Sequence, residues 1–220
     1  MTPPSLPSAA DEAADTIPTA DIADVGRRLH VAPAPGIRVD AAERAAADLL
    51  RALGMDLSDP TLAHTPRRMA AAYAELLTPR EFALTTFPND EGYDELVLVR
   101  DIPFTSLCEH HLLPFTGAAT VGYLPGARIL GLSKLARVVE MFARRPQVQE
   151  RMTKQIAGWL DTQLKPRGVG VVLEAEHTCM TVRGARARGS STVTSALLGL
   201  ARSDGRTREE FLSLSGRSTR

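Results

Sequence analysis

The chain has 220 residues, with 26 Lys and Arg balancing 26 Asp and Glu, and is 44% hydrophobic and 24% charged. That length suits one well-buried domain plus a tail, and the balanced charge leaves no global positive field to hold nucleic acid. No apolar stretch approaches the roughly 20 residues that span a bilayer, which argues against a membrane protein.

In chain order, residues 1–36 are rich in Pro, Ala, Asp and Thr and read as a disordered tail, with a short helical piece near Ile22 to Leu29. The tail has neither the basic nor the apolar region of a secretory signal, so the expected compartment is the cytoplasm. Residues 37–220 are expected to form a single domain. A first helix is predicted from Asp40, with Glu43 placed for reciprocal capping and Gly54 placed to end it. A second starts at Thr65-Pro66 and carries Met69, Tyr73, Leu76 and Leu77 at helical spacing until Pro79.

The period then changes. Leu96 to Val99 is β-prone, and Phe115 to Tyr123 predicts a second strand. Ser133 is placed to cap a helix carrying Leu135, Val138, Val139 and Phe142. Another helix carries Val148, Met152, Ile156, Trp159, Leu160 and Leu164 before Pro166 and Gly168 end it. Val169 to Ala175 predicts a strand, and if it stays extended, His177 and Cys179 share one face with Val171, Leu173 and Ala175. The segment from Ser203 to Arg220 is polar and Arg-rich, with Phe211, Leu212 and Leu214 suited to docking as a short helix. The class is α+β, with helices ahead of and between antiparallel strands.

Chemistry concentrates at two places between these elements. The chain has two cysteines, and each lies within three residues of a histidine: Cys108-Glu109-His110-His111 and His177-Thr178-Cys179. A reducing compartment keeps such thiols free, so they read as metal ligands rather than a disulfide. Two sulfurs and one imidazole leave a fourth position open, which is the catalytic form of a zinc site. Spacing alone leaves open whether His110 or His111 is the ligand; the other is free for proton transfer. His177, titratable near neutrality and two residues from Cys179, is a candidate general acid.

Charged side chains suggest what such a site acts on. Lys134 and Arg137, at the start of the Ser133 helix, and Arg183, beyond Cys179, suit phosphate oxygens. Arg144, Arg145 and Arg151 read as surface residues. Glu150, beside Gln149 at the start of a helix, suits the helix dipole. Its carboxylate also matches the paired donors of a guanine edge, which adenine lacks.

These same residues carry a resemblance. Cys108-Glu109-His110-His111-Leu112-Leu113-Pro114-Phe115 strongly resembles the signature of GTP cyclohydrolase I. Further segments resemble its other motifs in the same order: Thr65-Pro66-Arg67-Arg68, Gly131-Leu132-Ser133-Lys134, Arg145-Pro146-Gln147-Val148-Gln149-Glu150-Arg151, and His177 to Gly184. The resemblance covers roughly Asp40 to Leu214.

It implies the tunnelling fold, with N-terminal helices followed by an antiparallel sheet and two intervening helices. The implied reaction takes GTP and water to formate and 7,8-dihydroneopterin triphosphate, the entry to pteridine and tetrahydrofolate synthesis. The implied zinc ligands are Cys108, His111 and Cys179, with His110 and His177 as acid–base residues and zinc hydroxide attacking purine C8. Glu150, helped by Gln149, would hold the guanine; Lys134, Arg137 and Arg183 the triphosphate; Ser133 the ribose. The implied assembly is a toroidal homodecamer with sites between subunits.

The rival from another class is a non-catalytic nucleotide-binding scaffold of the same fold with a structural zinc. Retention of Cys108, His110, His111, Glu150, His177 and Cys179 together argues against it. A related enzyme acting on a deazaguanine nitrile through a cysteine nucleophile fits the two-cysteine pattern less well.

Overall fold

The computed structural model describes residues 36–216. Residues 1–35 of the expected tail, with its helical piece, and the last four residues lie outside the described residues. The first described elements are α1 (Val39–Ala52) and α2 (Thr65–Leu76), which pack on each other. The first helix starts one residue before Asp40, and neither Arg38 at its N-cap nor Asp40 supplies a side-chain capping bond. Gly54 does terminate it, at φ 83°, a conformation that glycine adopts without a Cβ penalty. The second helix carries Pro66 in its first turn, where a missing N–H costs nothing.

The strands β1 (Thr86–Pro88) and β4 (Arg128–Leu130) form a small antiparallel pair. The main sheet contains β2 (Val97–Cys108), β3 (Pro114–Leu124), β5 (Pro146–Gln147), β6 (Gly168–His177) and β7 (Thr192–Gly199), in the order β5-β2-β3-β6-β7. All pairs are antiparallel except the two-residue contact of β5 with β2. Between strands run α3 (Ser133–Ala143) and α4 (Gln149–Leu164). Short helical turns α5 (Thr178–Thr181) and α6 (Leu200–Ser203) precede the terminal α7 (Gly205–Ser215). Helices thus stand ahead of and between the strands of a mostly antiparallel sheet, the expected α+β class.

The core forms where α3 and α4 cover one face of the sheet. Ile102, Phe104, Ala119, Val121, Val169, Val171 and Leu173 alternate inward along three strands. Leu135, Val138, Val139 and Met152, Ile156, Leu160 meet them at helical spacing, all buried. Ser133 is the first helical residue and makes no side-chain cap; Leu132 holds the N-cap position. Lys165 closes α4 in the left-handed conformation, φ 49°, immediately before Pro166.

Phe211 of α7 is completely buried. Pleating turns Gly122 and Gly170 away from the main core, and a Cβ on Gly170 would come within 2.6 Å of the Phe211 ring. The two glycines thus make the flat seat on which the C-terminal helix docks. Phe211→Ala is expected to lose about 3–5 kcal/mol of stability. The check is the urea midpoint at fixed protein concentration; an unchanged midpoint would contradict this seat.

Two expectations change. β7 was absent from the predicted elements, although Thr192-Val193-Thr194 is rich in β-branched residues. The extended run also stops at His177, so Cys179 is carried by the helical turn α5 rather than by the face of β6. The reason lies in the partner strand. β3 pairs as far as Phe115 with His177, and β3 begins at Pro114, which has no N–H to extend the ladder. The Thr178 hydroxyl instead donates to the Pro114 carbonyl at 2.6 Å and turns the chain.

Candidate metal centre and active site

The hairpin between β2 and β3 builds half of the centre. Cys108 ends β2, its N–H donates to Leu113 O at 2.8 Å, and Leu112 N–H returns to Cys108 O at 2.7 Å. Leu112 takes the left-handed region, φ 53°, to make this tight turn, and the Tyr73 hydroxyl of α2 donates to its carbonyl at 3.2 Å. The turn is braced from α4. Arg151 pairs with Glu109 and donates to Gln147 Oε1 and Pro146 O, while Glu109 N–H donates to Gln147 O. Arg151 is exposed, as expected, and its contacts also make it a strut for the cysteine–histidine turn. Arg145 and Arg144 are tied as well, donating to Met141 O and Glu75 O.

The turn α5 brings Cys179 to this hairpin. Its sulfur lies 3.9 Å from Cys108 Sγ, and His111 Nδ1 lies 3.8 Å from Cys108 Sγ. Cys108, His111 and Cys179 form a group whose ligand atoms all lie within 4.8 Å of one another. Tetrahedral zinc, with Zn–S of ~2.3 Å and Zn–N of ~2.05 Å, requires S to S of about 3.8 Å and S to N of about 3.6 Å. The two distances from Cys108 Sγ match these spacings, and a donor set of two thiols and one imidazole is compatible with zinc. His110 Nδ1 also lies 3.8 Å from Cys108 Sγ but stands outside that group. Burial, then the neighbouring Cys108 thiol, pushes the Cys179 thiol up, against the pull of Arg183. Metal binding must therefore release a proton there.

His177 borders the cluster with its ring stacked on Phe115, centroids 4.4 Å apart and planes 5° from parallel. Its Nε2 is 2.7 Å from Gln149 Oε1. Burial holds its imidazole below the ordinary histidine value, opposed by the Glu150 carboxylate. Glu150 itself is exposed in the first turn of α4, and Arg183 is exposed just beyond Cys179.

A family profile described as GTP cyclohydrolase I matches residues 42–216. The chain belongs to the GTP cyclohydrolase I family. It is 54% identical over 170 residues to GTP cyclohydrolase 1 of a Synechococcus species, covering 76% of this chain and 74% of the relative. It is 52% identical over 165 residues to GTP cyclohydrolase 1 of Aquifex aeolicus, covering 75% and 90%. With the Rhodopirellula baltica GTP cyclohydrolase 1 the identity is 49% over 192 residues, covering 84% and 83%. This member of the family is accordingly an enzyme of the GTP cyclohydrolase I type.

The remaining residues singled out in the sequence divide into two groups. Cys108, His110, His111, Gln149, Glu150, His177, Cys179 and Arg183 gather at the sheet end just described. Ser133 and Arg137 instead line a cavity of about 1020 Å³ with Arg80, Phe104 and Glu140, and none of the cluster's cysteines or histidines borders it. Lys134 is half-buried in the first turn of α3. Arg137 pairs with Glu140 Oε2 at 3.2 Å, and Arg80 takes Glu140 Oε1 at 2.7 Å. Burial would raise the Glu140 carboxyl, but Arg80 and Arg137 together hold it below the usual range. Glu140 was readable at i+3 from Arg137; Arg80, 60 residues away, was not.

The Gln149 amide is engaged within the chain. Gln149 is 1% exposed, with its N–H groups on Leu173 O, Thr192 O and Thr194 Oγ1 and its oxygen on His177. Its two N–H groups are shared among these three acceptors within the chain.

Proposed function

We propose that this chain is a zinc-dependent hydrolase that converts GTP and water to formate and 7,8-dihydroneopterin triphosphate, the first step of pteridine and tetrahydrofolate biosynthesis. The observation that carries the reading is the Cys108–His111–Cys179 cluster, whose ligand atoms lie within 4.8 Å of one another, beside His110 and His177 in a chain of this family. Bound there, zinc supplies the Lewis acidity that makes water nucleophilic near neutral pH. His110 and His177 then move protons at the purine imidazole nitrogen and the ribose ring oxygen as C8 leaves as formate. Glu150 accepts from the guanine N1–H and amino group, Lys134, Arg137 and Arg183 hold the triphosphate, and Ser133 sits beside the ribose.

The division of these residues between the cluster and the Ser133–Arg137 cavity supports a site completed between subunits. The sheet favours the same conclusion, because β5 covers β2 only at Leu107 and Cys108, and β7 ends the sheet with no further strand among the described residues. Two such edges are satisfied when strands of other copies continue the ladder. We read the assembly as a homo-oligomer, and by family resemblance a toroidal homodecamer. Within each copy we take residues 37–220 as one catalytic domain. Paired free thiols 3.9 Å apart stay available to a metal where the redox poise is reducing, which supports a cytoplasmic enzyme. Among the described residues no helix is long and apolar enough to cross a membrane.

The test is to incubate zinc-loaded protein with GTP and follow formate release together with pterin fluorescence after oxidation. The two products are expected in equal amounts; binding of GTP without either product would favour the scaffold reading. Glu150→Gln is expected to weaken GTP binding by about 1.5–3 kcal/mol, the worth of a hydrogen bond to a charged group. Equal affinity for the two forms would remove Glu150 from guanine recognition.

A further inference from the structure

The hydrogen bonds around Gln149 can be assigned donor by donor. Its side-chain nitrogen lies 3.2 Å from Leu173 O and 2.9 Å from Thr192 O, and backbone carbonyls only accept, so that end of the amide is the NH2. The Thr153 hydroxyl donates to Gln149 O at 2.8 Å, which commits its one proton. The 2.6 Å contact between Thr153 and Thr194 is therefore donated by Thr194. Thr194 keeps a lone pair for the third contact from the amide nitrogen, at 3.1 Å. With its donors used, Gln149 presents Oε1 to His177 Nε2, and that imidazole nitrogen must carry the proton. Stacking on Phe115 fixes the plane of the same ring.

We infer that Gln149 is a positioning residue that holds His177 as its Nε2–H tautomer, leaving Nδ1 as the atom that exchanges a proton with substrate. The inference rests on the reading of His177 as an acid–base residue. It also ties that residue to β7 at the edge of the sheet, because Thr192 and Thr194 hold the amide. A guanine contact would need an amide N–H facing the site; a satisfied amide buried behind the histidine acts only through the histidine.

The test compares zinc-loaded wild type, Gln149→Met, His177→Ala and the double variant. Gln149→Met is expected to lower kcat by about 10- to 100-fold, less than the roughly 10²–10⁴ lost when a general acid–base is removed outright, with zinc content unchanged. KM for GTP should stay within about twofold. In the His177→Ala background the same substitution should add no further loss. A raised KM with unchanged kcat, or a full additional loss in the double variant, would overturn the inference. If His177→Ala keeps full kcat, the acid–base reading fails instead. NMR of carbon-13-labelled histidine in the wild-type enzyme decides the tautomer without any core substitution, the His177 signal being the one that His177→Ala removes. An Nε2–H signature supports the inference and an Nδ1–H signature overturns it, whether or not Gln149→Met folds.

Discussion

Cys179→Ala is expected to lose zinc and turnover together. The substitution leaves Cys108 and His111 as the only members of the cluster, and two donors on one short turn do not make a three-ligand catalytic site. The rate falls by at least on the order of 10³-fold, since the metal's Lewis acidity is worth several kcal/mol. The fold should survive, because Cys179 is half-buried on the four-residue turn α5 and outside the fully buried core. Metal content after dialysis, read beside GTP turnover, checks this. A variant that turns over GTP without zinc would refute the ligand assignment.

His177→Ala is expected to have the second largest effect, of a different kind. Zinc and GTP should still bind, because His177 lies outside the three-ligand group, while kcat falls by about 10²–10⁴-fold, the contribution of a positioned proton-transfer group. The ring leaves behind an exposed face of Phe115 and an unpaired Gln149 Oε1, so some loss of stability accompanies the substitution. The informative quantity is therefore kcat at saturating GTP in protein of full zinc content. An unchanged kcat would remove His177 from proton transfer.

The cysteine–histidine cluster was legible because it is built from scarce residue types, although spacing alone left open which of His110 and His111 joins the two cysteines. Two cysteines, each beside histidines, restrict the pairing to these two segments whatever the fold. The helices were legible for a different reason: Leu135, Val138 and Val139, and Met152, Ile156 and Leu160, bury one helical face each, and periodicity survives without knowledge of the partner. What stayed hidden depended on long-range pairing. The end of β6 at His177 is set by Pro114 on another strand, and β7, half-exposed along its length, lacks the apolar run that marked β6. Gln149 illustrates the same limit at the site. Its motif places it beside Glu150, but its partners at Leu173, His177, Thr192 and Thr194 lie 24 to 45 residues away and engage its amide within the chain.

One zinc per chain, held by Cys108, His111 and Cys179, is the proposed requirement for GTP opening. Metal-free protein titrated with zinc, with formate release measured at each addition, tests it most directly. The account predicts no release without metal and a linear rise that breaks at one zinc per chain. Release that persists in the metal-free protein, or none at full zinc occupancy, would contradict it.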